Sequence, residues 1–245
     1  MSRLPRLLAL ETATECCSVA LLNAGEITTR TVHSKNQHAA QILRLIDELL
    51  QHADLELSAI DALVLGCGPG SFTGIRIAMS ITQGLAYGAH KPVIPIPTLQ
   101  IMAQQAYQQY GVKHALVALD ARMQQIYAGL YHLGTQGLMQ PYSALMLSDV
   151  ENFLVDAQTC IQDQDSTVSE WQGVGNAWQV YDESLQAIHN PFYPAQVYPD
   201  IEPLASAALM LAINAYRDGV MLPIEQVIPI YLRDDVAKKM SDPRR

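Results

Sequence analysis

The chain has 245 residues, of which 49% are hydrophobic and 16% charged, a composition typical of a folded globular protein with little disorder. Its formal net charge of −9 argues against a protein that holds nucleic acid alone, because phosphate binding requires a basic face. The first apolar run, residues 7–10, is too short for a signal peptide, and the uncharged stretches are too short to span a bilayer. We therefore expect a cytoplasmic protein without membrane contact.

Short strands and helices alternate through the first half of the chain. Apolar and β-branched runs predict strands over 6–12, 17–23 and 26–32, and helical spacing of apolar residues predicts a helix over 37–53. The same criteria predict a buried strand (60–67), a helix (73–89), a strand (92–96) and a helix (98–110). Thr98 is expected to cap the last helix, and Gly111 is expected to end it.

The second half repeats the plan of the first. Segment 115–133 aligns with segment 6–24 at an offset of 109 positions, which places Asp120 opposite Glu11. In each copy a strand ends in an acid, a short turn follows, a second strand returns, and a glycine opens a third strand. Further predicted elements are a helix (148–157), a strand leading into 171–176, a helix (202–218) and a final strand (227–232). We predict a duplicated chain with two α/β lobes, 1–110 and 111–245.

The stretch GCGPGSFTGIRI, residues 67–78, resembles a phosphate-binding loop but matches none of the standard motifs. A P-loop needs a lysine after its last glycine, and Ile75 stands there instead. The dinucleotide fingerprint and the nucleophile elbow both fail on glycine and serine spacing. Ser71 and Thr73 are therefore interpreted first as helix-capping residues, and anion binding by the backbone amides of this turn is the second interpretation.

The helix after this turn is unusually rich in small residues. Gly74, Ala78 and Thr82 form one stripe and Gly84 and Gly88 another, and between the two stripes lie Ile77, Ile81 and Leu85. A glycine inside a helix costs about 1 kcal/mol relative to alanine, and close approach of another helix would offset that loss. This pattern predicts a packing surface.

The two strand-end acids are candidates for chemistry. In the sugar-kinase, Hsp70 and actin superfamily, acids at these positions hold magnesium and phosphates across a cleft. Here Glu11 is followed by Thr12 and Thr14, whereas Asp120 is followed by Arg122, whose long side chain would fill the phosphate space. The alternative is that both acids fix turn geometry by accepting hydrogen bonds from local amides.

Cysteines and histidines give no metal motif by spacing. The four cysteines lack a CxxC pair and are expected to be reduced thiols, and the seven histidines include no HxxxH or HExxH pair. The basic residues Lys238, Lys239, Arg244 and Arg245 are expected to form a solvated tail. No metal site and no catalytic residue is predicted.

Four segments together resemble the bacterial TsaB (YeaZ) family of tRNA threonylcarbamoyladenosine biosynthesis proteins. They are LLALETATECCSVAL, GCGPGSFTGIRIAMSITQGLAYG, ALDARMQQIYAGLY and PIYLRDDVAKK, which occur in order over nearly the whole chain. The resemblance implies the duplicated actin-like ATPase fold of the sugar-kinase, Hsp70 and actin superfamily, with a mixed β-sheet flanked by helices in each lobe. It also implies a paralogue of the catalytic subunit TsaD that lacks the metal-binding HxxxH pair, since Ile42 follows His38 at i+4.

The resemblance further implies a non-catalytic, obligatory subunit that binds TsaD and acts with the ATPase TsaE. ATP, ADP and metal are then expected in those partners, with no intrinsic cofactor in this chain and contact with tRNA only through the complex. A homodimer is expected when TsaD is absent. The implied contact surface is formed by two first-lobe helices, the one predicted over 37–53 and the one predicted over 73–89, with these predicted interface residues: Leu43, Ile46, Leu50, Gly74, Ile77, Ala78, Ile81, Gly84 and Leu85.

Two other function classes stay open. One is a stand-alone metal- or ATP-dependent enzyme, either a glycoprotease-like peptidase or a small-molecule kinase. The other is a general scaffold. The candidate anion- or nucleotide-contacting residues are Glu11, Thr12, Thr14, Ser71, Thr73, Asp120 and Arg122.

Overall fold

A computed structural model describes residues 4–33, 38–162 and 171–233, and its first half forms a five-stranded mixed sheet. The strands are β1 (Leu7–Glu11), β2 (Cys16–Asn23), β3 (Glu26–His33), β4 (Ala62–Gly66) and β5 (Val93–Ile96). They lie in the order β3-β2-β1-β4-β5, with β1 antiparallel to β2 and parallel to β4. The helices α1 (His38–His52) and α2 (Phe72–Ala89) cover one face of this sheet.

The second half builds a sheet of the same plan. After α3 (Thr98–Tyr110) come β6 (His114–Asp120), β7 (Gln125–Leu133), β8 (Met139–Pro141), β9 (Met146–Asp149), α4 (Phe153–Gln162), β10 (Gln172–Val174), α5 (Ala177–Val180), α6 (Asp182–Ala187), β11 (Val197–Tyr198) and α7 (Ala205–Arg217). The order β8-β7-β6-β10-β11 reproduces that of the first sheet, and β9 is a third partner of β7, beside β6 and β8. The duplication predicted from the 109-residue offset is confirmed: β1 and β2 correspond to β6 and β7.

Two helices cross between the halves. α7 follows the second sheet in the chain but packs on the strands of the first, where Ala205, Ala208 and Ala212 are fully buried against residues such as Leu7 and Val64. α3 follows the first sheet but packs on the second, and the two helices contact each other. Because each sheet is covered by a helix from the other half, the two halves share their cores. The boundary between two lobes at residue 110 was inferred from the order of elements along the chain, and it stays a prediction.

Several predictions differ from the structure, among them the helix predicted over 202–218, which begins only at Ala205 because Leu204 is extended. Segment 227–232 forms no strand, because β4 already has a strand on each side, and only the Ile230 amide bonds toward the sheet, donating to the Cys67 carbonyl at 2.8 Å. The helix predicted over 148–157 begins at Phe153, since residues 146–149 pair with β7. The predicted cap Thr98 makes no capping bond; Gly111, in the left-handed region at φ 73°, does end α3.

In agreement with the prediction of reduced thiols, none of the four cysteines, all of which are described, forms a disulfide. The basic tail and the predicted helix start at Gln37 lie outside the described residues. Within the described ranges, none of the helices combines the length and apolar character that a membrane crossing needs.

Candidate functional site

A cleft of about 680 Å³ lies between the two halves, at the carboxyl ends of the central strands. Turns after β1, before α2 and after β6 form it, together with Asn176 and the segment 230–233. Of the predicted contact residues, those that line it are Thr14, Ser71, Thr73, Asp120 and Arg122. Glu11 and Thr12 lie beneath its wall and are fully buried. The structure therefore brings most of the predicted residues together, but it separates the first acid from the cleft.

Glu11 is bonded entirely within the protein. Its carboxylate accepts hydrogen bonds from the Ala13 amide at 2.6 Å and from the Thr98 hydroxyl at 3.0 Å. The Thr98 oxygen in turn accepts from the Gly68 amide at 3.1 Å, so Thr98 links the acid to the glycine-rich turn. Burial raises the pKa of Glu11 to about 7. Sequence reasoning missed this role of Thr98, because the residue is 87 positions away from Glu11 in the chain.

The glycine-rich turn is shaped by backbone packing. A Cβ at Gly74 would lie 2.0 Å from the Thr12 carbonyl oxygen, and a Cβ at Gly70 would lie 2.5 Å from that of Ala13. The Ser71 amide donates to the Ala13 carbonyl at 2.7 Å, and the Thr12 hydroxyl donates to the Gly74 carbonyl at 2.8 Å. These glycines therefore allow the turn after β1 to approach the start of α2. Ser71 accepts from the Gly74 amide at 3.3 Å, which confirms the predicted cap.

The second acid is held by its own turn. Asp120 accepts hydrogen bonds at 2.7 Å from both the Arg122 amide and the Tyr181 hydroxyl, and its other oxygen lies 3.2 Å from the Arg122 guanidinium. Burial and the hydrogen bond to Asp120 raise the pKa of Tyr181 to about 12. Residues 122–124 are all left-handed, with φ between 58° and 63° and no glycine among them. The turn thus places an arginine where a phosphate hairpin would need glycine.

The segment 230–233 closes one side of the cleft, and its role was missed from sequence. Arg233 donates hydrogen bonds to the Ala121 carbonyl at 3.1 Å and to the Gln125 side chain at 2.5 Å. The ring of Tyr231 lies 5.6 Å from that of Phe72 at the start of α2. The segment therefore connects the first-half helix to the second-half acidic turn. In the sequence, the only signal here was the YLR triplet at 231–233, which belongs to a segment that resembles the TsaB family. No physical rule connects this triplet with a position beside a cleft.

A second surface lies on the outer side of α1 and α2, which pack against each other. We call it the outer helix face, defined by Leu43 and Leu50 on α1 and by Ile77, Ile81, Gly84, Leu85 and Gly88 on α2. Leu43 is 52% exposed, and the other apolar side chains are partly buried against the first core. A Cβ added at Gly84 or Gly88 would meet no atom within 4 Å. Two glycines in a long helix are therefore left without a packing neighbour among the described residues.

Three of the predicted interface residues lie on the inner side instead. Gly74 packs against Thr12, and Ile46 and Ala78 are buried at 4% and 0% exposure. Their place in the core means that they support the outer helix face from beneath and do not form its surface. The two small-residue stripes predicted for α2 are thus an inner stripe and an outer stripe.

Two lobes of repeated topology, with an acid-bearing turn of each at a common cleft, define the duplicated actin-like fold. A family model described as TsaD: tRNA N6-adenosine threonylcarbamoyltransferase matches residues 27–240. Proteins called tRNA threonylcarbamoyladenosine biosynthesis protein TsaB are similar over the chain: 33% identity in Escherichia coli, covering 96% of this chain and 97% of that protein, and 36% in Haemophilus influenzae, covering 95% of each. The chain belongs to the TsaB (YeaZ) family, within the wider TsaD family.

A solved structure of YeaZ from Pseudomonas aeruginosa agrees with this assignment. It superposes with a TM-score of 0.81 at 35% identity and covers 93% of this chain and 100% of its own. A second P. aeruginosa structure, of an uncharacterized protein with similarity to peptidase YEAZ, has a TM-score of 0.83 and the same identity.

Proposed function

We propose that this chain is a non-catalytic, obligatory subunit of the machinery that forms threonylcarbamoyladenosine on tRNA, and that its outer helix face binds the catalytic paralogue TsaD. The TsaB-named relatives, similar over almost their full length, support the role in this pathway. The observation that carries the binding surface is the pair of exposed glycines at 84 and 88, where a Cβ would have no atom of the described residues within 4 Å beyond its own stretch of helix backbone.

The composition of this face suits a helix-packing partner. Glycines let two helix backbones approach closely, and the flanking Ile77, Ile81 and Leu85 keep part of their apolar surface exposed. Leu43 adds a more exposed side chain from α1, while Ile46 and Ala78 hold the two helices rigidly from below. Such a preformed surface loses little side-chain entropy on binding. The predicted first lobe, residues 1–110, would then carry the partner contact.

The cleft supports a role without catalysis. A magnesium–nucleotide site of the superfamily type needs free carboxylate oxygens and a small hairpin that approaches the phosphates. Here both Glu11 oxygens accept bonds inside the protein, and Asp120 is paired with Arg122. These residues do not fit a magnesium-bound nucleotide, so we place the ATP, ADP and metal of the reaction in TsaD and TsaE. Anion binding at Ser71 and Thr73 stays a prediction.

The other proposed partners are a second copy of the chain, TsaE and tRNA. Because the outer helix face is apolar, and a two-fold contact brings the same face of both copies together, we propose that a second copy of the chain occupies it when TsaD is absent. TsaE joins through the assembled complex, and tRNA is held mainly by the other subunits, since this chain has a net charge of −9. Homodimer and heterodimer would therefore exclude each other.

Reconstitution tests the function. Purified chain is combined with TsaD, TsaE and the threonylcarbamoyl-adenylate donor system, and modified adenosine is measured on tRNA. We expect modification only when the chain is present and none from the chain alone. Transfer of the group by TsaD and TsaE without it, or metal-stimulated peptidase or ATPase activity of the chain alone that Asp120→Asn abolishes, would contradict the proposal.

A matched pair of variants tests the surface in the same assay. Leu43→Asp places a charge on the outer helix face, and Val155→Asp places one on α4 at a side chain that is also 52% exposed. We expect Leu43→Asp to reduce modification at least about tenfold, because a desolvated, unpaired carboxylate is costly in an apolar contact. Val155→Asp should retain full activity. Equal activity of the two variants would remove α1 from the interface.

A further inference from the structure

One cluster of metal-ligating side chains lies away from the cleft. Cys16, His33 and Glu202 come from β2, β3 and the approach to α7, and their ligand atoms all lie within 4.8 Å of one another. Among the described residues, no other group of three such side chains comes this close. None of the three lines the cleft or belongs to the outer helix face. The cluster therefore needs an explanation separate from the proposed partner binding.

The backbone holds all three side chains on one side of the first sheet. Cys16 and His33 are directly paired across β2 and β3, so their side chains share a face. Glu202 follows the buried Ile201, and three residues later the Ala205 amide donates to the Ser18 hydroxyl at 3.0 Å, which fixes the approach to α7 against β2. The three positions are thus set by regular structure.

The chemistry of the three donors is that of a zinc site. A thiolate, an imidazole and a carboxylate are the ligand types that Zn²⁺ prefers, and three protein ligands leave one position for water. In a tetrahedral site with bonds of about 2.0–2.3 Å, neighbouring donor atoms lie roughly 3.3–3.8 Å apart. The His33 Nδ1 and the Glu202 carboxylate are already 3.5 Å apart, and His33, 65% exposed, is free to adjust toward Cys16.

We infer that Cys16, His33 and Glu202 form a binding site for one divalent transition-metal ion of the zinc class. The Cys16 sulfur is buried, and it lies with the His33 ring nitrogen and a Glu202 carboxylate oxygen in a group whose ligand atoms are all within 4.8 Å of one another, so one ion can contact all three. As the metal–sulfur bond forms, the thiol proton leaves to solvent, and the dication neutralises the thiolate and the carboxylate. Spacing motifs do not reveal this site, because Glu202 is far from both partners in sequence.

Titration of the metal-free, full-length chain with Zn²⁺ tests the site, with Co²⁺ as a spectroscopic probe. We expect one Zn²⁺ per chain, no competition from Mg²⁺, and a thiolate-to-cobalt charge-transfer band on addition of Co²⁺. His33→Gln is the decisive variant, because an exposed side chain can be replaced without unfolding the strand. It should weaken Zn²⁺ binding at least about tenfold, and Cys16→Ser should abolish the charge-transfer band.

His90→Gln and Cys160→Ser are the matched controls, since neither residue belongs to the cluster. Both should bind Zn²⁺ like the wild type. The inference is overturned if the wild type binds no stoichiometric Zn²⁺, if the charge-transfer band is missing, or if His33→Gln binds as tightly as the controls. None of these outcomes bears on the reconstitution assay with TsaD, so the two proposals fail independently.

Discussion

The inner and outer stripes of α2 use small residues for opposite purposes. On the inner stripe, Gly74 lies so close to the Thr12 carbonyl that a Cβ would lie 2.0 Å from it. On the outer stripe, a Cβ at Gly84 or Gly88 would have no atom of the described part of the chain within 4 Å beyond its own stretch of helix backbone. The inner glycine is thus explained by this chain's own fold. The outer glycines have no such explanation, and glycine weakens a helix by about 1 kcal/mol relative to alanine.

This difference separates folding from function within one helix. A residue that destabilises its own helix and packs against nothing in its own chain indicates a contact made elsewhere. α7 supports this interpretation, because it too is rich in small residues, but its alanines at 205, 208 and 212 are fully buried between the sheet and α3. Only the outer stripe of α2 leaves its small residues uncovered among these helices.

The largest effect expected is on the inner stripe. Gly74→Ala should lower the free energy of unfolding by roughly 3 kcal/mol, because the new methyl group would collide with backbone that cannot move aside easily. Urea unfolding followed by circular dichroism measures it. Gly88→Ala is the matched control on the same helix and should not destabilise. If Gly74→Ala proved as stable as Gly88→Ala, the close approach of Thr12 to α2 would be wrong.

Glu11, the buried acid behind the inner stripe of α2, is expected to make the free energy of unfolding depend on pH, by an amount similar to the effect of Gly74→Ala. Its pKa is raised from 4.5 to about 7 in the folded protein, so between these values the folded state binds more protons than the unfolded state. The contribution of Glu11 to stability is therefore greatest in acid and falls as pH rises toward 7. Glu11→Gln mimics the protonated acid and should remove this fall.

We therefore expect Glu11→Gln to match the wild type near pH 4 and to exceed it by up to about 3 kcal/mol near pH 8. Urea unfolding of both proteins across this range provides the measurement. A variant that is less stable than the wild type at pH 8 would show that the carboxylate is the favoured form. Asp120→Asn serves as the comparison at the other acidic turn.

The smallest effect is expected on the outer stripe. Gly84→Ala should raise the free energy of unfolding of the isolated chain by about 1 kcal/mol, because alanine stabilises an exposed helix position that has free space around it. Thermal unfolding at a low protein concentration, where the chain is monomeric, measures this change. A loss of stability would mean that residue 84 is already packed in the monomer.

Sequence patterns predicted the duplication, most strand and helix positions, and the division of α2 into two stripes. These features depend on local periodicity and on an internal repeat. The patterns could not place Glu11 beneath the cleft or pair it with Thr98, because both depend on strand ends meeting in space. They also assigned a strand to 227–232, where apolar residues pass the end of β4, which already has β1 on one side and β5 on the other. The Cys16, His33 and Glu202 cluster was missed for the same reason, since no spacing connects it.

A binding titration is the most direct test of whether the outer stripe of α2 contacts TsaD. Labelled TsaD is titrated with the wild-type chain, with Gly84→Leu, and with Ser184→Leu, which adds the same side chain at an exposed position on α6. We expect Gly84→Leu to fold normally but to bind TsaD at least about tenfold more weakly, which corresponds to about 1.4 kcal/mol. Ser184→Leu should bind like the wild type. If a folded Gly84→Leu variant bound TsaD with unchanged affinity, the outer stripe of α2 would not be part of the contact.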